Sequence, residues 1–577
     1  MNRILSLLLV AILSATNLLA QRKWHNPQEA PYPVVQNRVQ PDAPREGFYH
    51  RLPAEQQSKV RGGVWQNSKH AAGECIRFQS NASDITVRYT VKGHHAMAHM
   101  PATGVSGIDL YTSDKDGNEI WLAGRFAFKD TITYTFSGIE YEGDNRDHRY
   151  TLFLPLYNEV EWLSIGTNEK ATFRFEPLSA ELPIVAYGTS ICHGACASRP
   201  GMAWTNILQR RMGRNVVNLG FSGNALLESA VIDILAGIDA KAYIIDAMPN
   251  AYTMPADILP DTIVKAVKRL RAARPHTPII VTDHLGYPNS KAIKSRRDNE
   301  RHALKMLTTA YERLQNEGVK DIYYLTYNDI ALPQDATVEA IHASDYGMVA
   351  YADAYERLLR KILGEEKGEL RSTTPVTQFR DGYYNWYYRH HDIIEKNRGK
   401  HFDRIIIGNS IIHYWGGVEG TLQRGSDSWA GLSGETLNMG CGWDRTENVL
   451  WRIQHDELDN VTADKIILKI GTNNIQKSGG DRDEEITSGI EKIIEAIAAR
   501  RPEAEITVMG VLPRRDLEKR VKTLNKEISR MAKRKKVKYL DPGKELLGKG
   551  GKIDESLFSD GLHPNADGYR RIAKYFE

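Results

Sequence analysis

The sequence predicts an α/β protein: a jelly-roll-like β-sandwich on the N-terminal side, then two copies of one parallel-sheet module flanked by helices. Three observations predict it. Short alternating apolar and polar segments fill residues 60–176; from residue 182 the rhythm becomes buried strand followed by amphipathic helix; and a set of polar landmarks recurs at one offset across half the chain. Period-two segments between turns are the mark of a two-layer antiparallel sandwich, and strand–helix alternation that of a parallel sheet covered on both faces.

The sandwich expectation rests on segments such as Ile85-Thr86-Val87-Arg88-Tyr89-Thr90-Val91, with others at 131–136, 150–154 and 172–175. In the first α/β copy the strand candidates are 184–187, 216–219, 242–245, 279–282 and 322–325, and the amphipathic stretches are 260–273, 298–315 and 346–363. The second copy repeats the pattern with strands at 405–407, 436–439, 466–470, 506–511 and 537–540 and helices at 484–499 and 516–534.

The duplication is visible in the polar residues. Ser190 recurs 220 residues later as Ser410, and Asn218 and Gly220 recur at the same offset as Asn438 and Gly440. Asn250 returns after 223 residues as Asn473, and His342 after 221 as His563. Landmarks that keep one offset imply a repeated domain. Each serine ends a run of buried-strand residues, which puts it at the carboxyl end of a parallel strand, where α/β sheets hold their ligands.

These features divide the chain into a signal peptide over 1–20, a Pro-rich strap over 21–59, the sandwich over 60–180 and the first α/β domain over 181–364. A linker with a lead-in helix over 365–400 and the second α/β domain over 401–577 complete it. Arg3, the apolar run 4–13 and Ala20 before Gln21 form the secretory pattern. No later run approaches the roughly 18 apolar residues of a membrane span, so the mature chain is expected to be secreted or periplasmic, with no membrane span. The aromatic run 383–391 is expected to pack as the lead-in helix, with sugar stacking as the second reading.

A formal net charge of +4 with no dominant basic block argues against a nucleic-acid partner. Four cysteines in 577 residues are too few for a disulfide framework, and Cys192 and Cys196 are expected to stay reduced. His94, His95 and His99 share one loop without nearby carboxylates, so no metal is expected, and no other cofactor.

A serine hydroxyl attacks only when a base takes its proton, and the tetrahedral intermediate of acyl transfer needs donors aimed at its oxyanion. The second copy supplies each part: Ser410 as nucleophile, His563 as base, and Asp560, three residues earlier, to hold the imidazole tautomer. Oxyanion donors are the Ser410 N–H, an N–H from the 438–444 turn, with Gly440 and Trp443 as candidates, and the Asn473 amide.

Gly408-Asn409-Ser410, Asn438-Met439-Gly440, Gly471-Thr472-Asn473-Asn474 and Asp560-Gly561-Leu562-His563-Pro564 resemble, in order and spacing, the four blocks of the SGNH (GDSL-type) hydrolases. The stretch 442–452 is similar to their platelet-activating-factor-acetylhydrolase-like branch. The first copy resembles the superfamily through Gly188-Thr189-Ser190, 218–223, 246–250 and 338–342. Its branch carries a preceding β domain with a Gly-x-Asp-Leu-Tyr signature, here Gly107-Ile108-Asp109-Leu110-Tyr111.

The resemblance implies that Ser190 attacks, His342 is its base, Glu339 orients the imidazole, and Gly220, Gly223 and Asn250 serve the oxyanion. The sequence departs from the family at Trp443, where glycine is usual, at Glu339, where aspartate is usual, and at Ala343, where proline often follows the histidine. Trp443 must adopt a glycine's dihedrals and fill part of the mouth, and a Ser-His dyad helped by a backbone carbonyl is an alternative in the first copy.

The function implied is a serine esterase that removes O-acetyl groups from an acetylated polysaccharide or glycan. Two alternatives stay open at this point: a lipid or lysophospholipid acyl esterase, and a glycan-binding protein with one degenerate hydrolase copy.

Overall fold

The computed structural model describes residues 22–416, 422–476 and 480–577, so the expected signal peptide over 1–20 lies outside the described residues. No helix among the described residues is long and apolar enough to cross a membrane. The chain forms two compact units, one holding the residues up to Ser113 with Glu119–Leu359, the other Asp114–Asn118 with Arg360–Glu577.

In the first unit the alternating segments pair into two antiparallel sheets. Its strands are β1 (Arg22–His25), β2 (Val35–Gln36), β3 (Cys75–Ser80), β4 (Asp84–Val91), β5 (Asp109–Ser113) and β6 (Glu119–Leu122). They continue with β7 (Arg125–Ala127), β8 (Ile132–Ser137), β9 (His148–Phe153), β10 (Val160–Asn168) and β11 (Phe173–Phe175). One sheet runs β1-β10-β4-β8-β7 and the other β11-β3-β9-β5-β6, with β2 against β3. Their inward residues, among them Ile85, Val87, Leu110, Leu152 and Leu163, make the sandwich core.

The strap boundary at 59 needs correction. β1 is an edge strand whose Arg22 lies opposite Asn168, and β2 pairs Val35 with Ile76, so residues from 22 onward belong to the sandwich. Strands of four and two residues are too short to show a period in the sequence.

The sandwich and the first α/β domain have separate sheets, the last sandwich strand ending at Phe175 and the first parallel strand starting at Ile184, but they pack as one compact unit. Two buried side chains join them. Asp109 of the Gly-x-Asp-Leu-Tyr signature accepts from the Gly201 N–H at 2.6 Å and from Arg199 Nη1 at 2.9 Å. Arg51, fully buried, donates through Nη1 to the carbonyls of Asn218 and Gly220, each at 2.9 Å.

Both α/β modules have five parallel strands in one order. The first runs β13 (Val216–Gly220), β12 (Ile184–Gly188), β14 (Ala242–Asp246), β15 (Ile279–Thr282) and β16 (Ile322–Leu325). The second runs β18 (Thr436–Gly440), β17 (His401–Gly408), β19 (Thr462–Lys469), β20 (Glu505–Met509) and β21 (Lys538–Leu540). Gly188 sits between Gly220 and Asp246, and Gly408 between Gly440 and Lys469. Strand order reverses at β12 and at β17, the point where doubly wound sheets open a crevice at their carboxyl ends.

The aromatic run before the second module divides. Trp386 opens the helix Trp386–Asn397 and is 1% exposed in the core of the module, whereas Tyr383 is 75% exposed.

Candidate active sites

In each module the first strand runs into a turn capped by its own side chain: Thr189 Oγ1 accepts from the Ile191 N–H at 3.3 Å, and Asn409 Oδ1 from the Ile411 N–H at 3.1 Å. A cap of this kind puts the next residue, Ser190 or Ser410, at the first helical position, where its N–H has no intrahelical acceptor. The neighbouring strand end must come very close. A Cβ on Gly220 would lie 2.2 Å from the His193 nitrogen, and one on Gly440 2.2 Å from that of His413. Only glycine allows that approach.

Ser190 Oγ lies 2.8 Å from His342 Nε2, and His342 Nδ1 lies 2.8 Å from Glu339 Oε1, which also accepts the His342 N–H at 2.7 Å. Burial lowers the basicity of His342, with the Glu339 carboxylate pulling the other way. The added methylene of Glu339 therefore does not prevent the bond that an aspartate makes elsewhere.

The second site matches it. Ser410 Oγ lies 2.8 Å from His563 Nε2, and His563 Nδ1 lies 2.8 Å from Asp560 Oδ2. Asp560 Oδ1 accepts the N–H groups of His563 and Leu562 at 2.8 and 3.0 Å. Burial would raise the Asp560 carboxyl, but its bonds from the His563 ring and the backbone hold it well below the usual carboxylate range. Arg424 Nη1 adds a contact at 3.1 Å to Asp560 Oδ2. In each copy the carboxylate three residues before the histidine thus fixes both the loop backbone and the imidazole.

The oxyanion assignments divide. Gly220 and Gly440 do not fit as donors: their N–H groups donate to the Asn218 and Asn438 Oδ1 atoms at 2.8 and 2.9 Å. Those asparagines instead brace the nucleophile turn, since Asn218 Nδ2 donates to the Cys192 carbonyl at 2.7 Å and Asn438 Nδ2 to that of Ile412 at 2.8 Å.

Gly223 and Trp443 share a left-handed turn conformation, with φ of +68° and +62°. Trp443 is held there 52% exposed, while the next residue, Asp444, is buried. The Asp444 carboxylate accepts from Trp386 Nε1 and Arg452 Nε, both at 2.8 Å, and these bonds fix the turn. Asn250 Oδ1 accepts from the Ala225 N–H at 3.2 Å, and Asn473 Nδ2 donates to the Asp444 carbonyl at 2.9 Å, which leaves Asn473 its second amide hydrogen.

Sequence reasoning missed two supports. His193 and His413 also repeat at 220 residues, which was the available signal, and both are fully buried below the sites. His413 Nδ1 accepts from the Gly442 N–H at 3.2 Å, and burial pushes its pKa down to about 3, so the ring is a neutral acceptor. In the first copy His193 Nε2 meets the Leu156 carbonyl at 2.8 Å instead. The other support is an arginine on the strand-end carbonyls. Arg389 reaches those of Asn438 and Gly440 at 2.5 and 3.3 Å, as Arg51 does in the first copy.

All four cysteines are buried and free. Of the loop histidines, His99 comes to the first site, its ring centroid 5.5 Å from that of His342. A cavity of about 460 Å³ opens around Ser410 and His563, lined among others by Tyr383, Arg424, Trp443, Asn473 and Arg514.

Residues 181–360 match the model of a GDSL-like lipase/acylhydrolase family, and residues 406–571 match a second model of the same description. Residues 22–173 match the GxDLY model, the N-terminus of the SGNH-hydrolase-type esterases. Among curated proteins, the chain is 29% identical over 196 residues to human platelet-activating factor acetylhydrolase IB subunit alpha2, covering 33% of this chain and 80% of that protein. To the human alpha1 subunit it is 26% identical over 216 residues, covering 36% and 88%. A solved structure described as a GDSL-like lipase from Bacteroides ovatus is similar at 28% identity and a TM-score of 0.54, covering 60% of this chain and 98% of that one. The chain therefore belongs to the GDSL-like (SGNH) hydrolases, with a GxDLY-type N-terminal domain followed by two such hydrolase domains in tandem.

Proposed function

We propose that both modules hydrolyse carboxylic esters through an acyl-enzyme, with Ser190–His342–Glu339 in the first and Ser410–His563–Asp560 in the second. The observation that carries this reading is the unbroken serine–imidazole–carboxylate chain in each copy, every link at 2.8 Å. The imidazole takes the serine proton as oxygen attacks the ester carbon, then returns it to the leaving alcohol; water repeats the cycle on the acyl-serine. The serine N–H, the turn N–H of Gly223 or Trp443, and Asn250 or Asn473 would meet the oxyanion.

We further propose that the ester is an O-acetyl group on a polysaccharide or glycan, met outside the cytoplasm. The bulk of Trp443 at the Ser410 mouth favours a short acyl group, and the relatives named as acetylhydrolases support acetate. In the lining of the cavity Arg424, Arg445, Arg514, Asn473 and Gln476 offer hydrogen-bond partners to a hydroxylated leaving group, beside an apolar wall that includes Leu422, Trp443, Ile475 and Leu562. The test is p-nitrophenyl acetate hydrolysis by Ser190→Ala, Ser410→Ala and the double variant, followed by acetate release from acetylated xylans, pectins, mannans and sialoglycans. Each single variant should retain the other site's rate. Undiminished hydrolysis by the double variant would overturn the mechanism, and preference for long-chain esters would overturn the substrate.

A further inference from the structure

We infer that the first site binds a thiophilic divalent cation of the zinc class on His99, Cys196 and His342, and that this cation switches the site off. The inference takes His342 as the base of the proposed esterase mechanism. One ligand atom from each of the three residues lies within 4.8 Å of the other two. Bonds of ~2.0–2.3 Å to a tetrahedral ion put neighbouring ligand atoms roughly 3.3–3.8 Å apart, so closure requires a contraction of at most about 1.5 Å.

The backbone holds the group together. The Cys196 N–H donates to the carbonyl of Ala343, the residue after the base, at 2.8 Å, which keeps the buried thiol beside the imidazole. His99 is exposed, but the next residue, Met100, is 1% exposed and anchors the loop, so the His99 ring has only its own torsions to adjust. One thiolate and two imidazoles favour zinc or copper over calcium or magnesium, and three protein ligands leave a fourth position for water or the Ser190 hydroxyl.

Binding releases the Cys196 thiol proton to solvent and engages one nitrogen of each neutral imidazole. Either His342 nitrogen disables catalysis. Ligation through Nε2 takes the lone pair that would accept the serine proton. Ligation through Nδ1 breaks the bond to Glu339 and leaves the ring proton on Nε2, which then donates and cannot accept. Among the described residues the second site has no such group of ligands, and the residue 220 positions after Cys196 is Gly416.

The test uses the full chain. With Ser410→Ala, low-micromolar zinc should cut p-nitrophenyl acetate hydrolysis more than tenfold and EDTA should restore it, while Ser190→Ala should keep its rate. Cys196→Ser and His99→Ala, each combined with Ser410→Ala, should hydrolyse normally without zinc and need at least tenfold more zinc for half-inhibition. Cobalt(II) titration should give thiolate-to-cobalt charge-transfer absorption at one equivalent, lost in Cys196→Ser. Absence of that absorption, its persistence in Cys196→Ser, or equal zinc inhibition of both serine variants would overturn the site. An inert Ser410→Ala variant that still shows the absorption would overturn the esterase reading of the first copy and leave the metal site standing.

Discussion

Replacing Asn218 with alanine tests the assignment of this asparagine to bracing and of Gly220 to packing. Its side chain is fully buried: Oδ1 accepts from the Gly220 N–H at 2.8 Å and weakly from Cys192 Sγ at 4.0 Å, and Nδ2 donates to the Cys192 carbonyl at 2.7 Å and to Thr205 Oγ1 at 3.0 Å. Thr205 Oγ1 loses only a donor to one lone pair and keeps its own O–H free to donate, but alanine leaves the two backbone groups buried and unpaired. At about 1–3 kcal/mol for each orphaned group, the loss should be roughly 4 kcal/mol, a large share of what a domain of this size has in hand. Asn438 makes the same two backbone bonds but is only partly buried, so water reaches the orphaned groups more readily and Asn438→Ala should cost about half as much. The assay is urea inactivation of each site in the background where the other serine is alanine. Should Asn218→Ala inactivate at the parent's urea concentration while losing kcat, the Gly220 N–H would be a catalytic donor after all and the bracing argument would fail.

Three further outcomes follow from the site geometry. Glu339→Gln and Asp560→Asn should each slow their own site on the order of 10³–10⁴-fold by releasing the imidazole tautomer, with the other site's rate unchanged in single-serine backgrounds. The first site's kcat/KM should fall on acidification only below the ordinary imidazole value of about 6.5, because burial depresses His342 and the neutral ring is the active form. Glu339→Gln, which removes the carboxylate that raises His342, should shift that limb to still lower pH. Trp443→Gly keeps a residue at ease at φ +62° and removes the ring of a half-exposed residue, so in the Ser190→Ala background the rate on p-nitrophenyl butyrate should rise about tenfold or more relative to acetate; an unchanged ratio would mean the ring does not wall the acyl pocket.

Much of this architecture was legible because buried parallel strands leave an unmistakable record. Runs such as Ile405-Ile406-Ile407 are apolar on both faces, and their ends fall where β12 and β17 end, within a residue. The serines, acids and histidines that lie 2.8 Å apart in each copy stood out by order and offset. Two things escaped. β1 and β2 are edge pieces whose partners, not their own pattern, make them strands. The strand-end glycines were misassigned because a motif records that glycine is required but not why: at Gly220 and Gly440 the reason is a missing Cβ, and the N–H is already taken by a neighbouring amide.

The two arginines that bind the strand-end carbonyls arrive from unrelated places, Arg51 from the stretch between β2 and β3 of the sandwich and Arg389 from the helix preceding β17. Similar sheets therefore depend on different upstream sequence. A gene fragment trimmed to the repeat alone would strip each sheet of the guanidinium that binds its second strand. A truncation meant to isolate the first activity must begin ahead of Arg51, and one meant to isolate the second must retain Gln378, which bonds Asp444 at 3.2 Å, as well as the helix carrying Arg389.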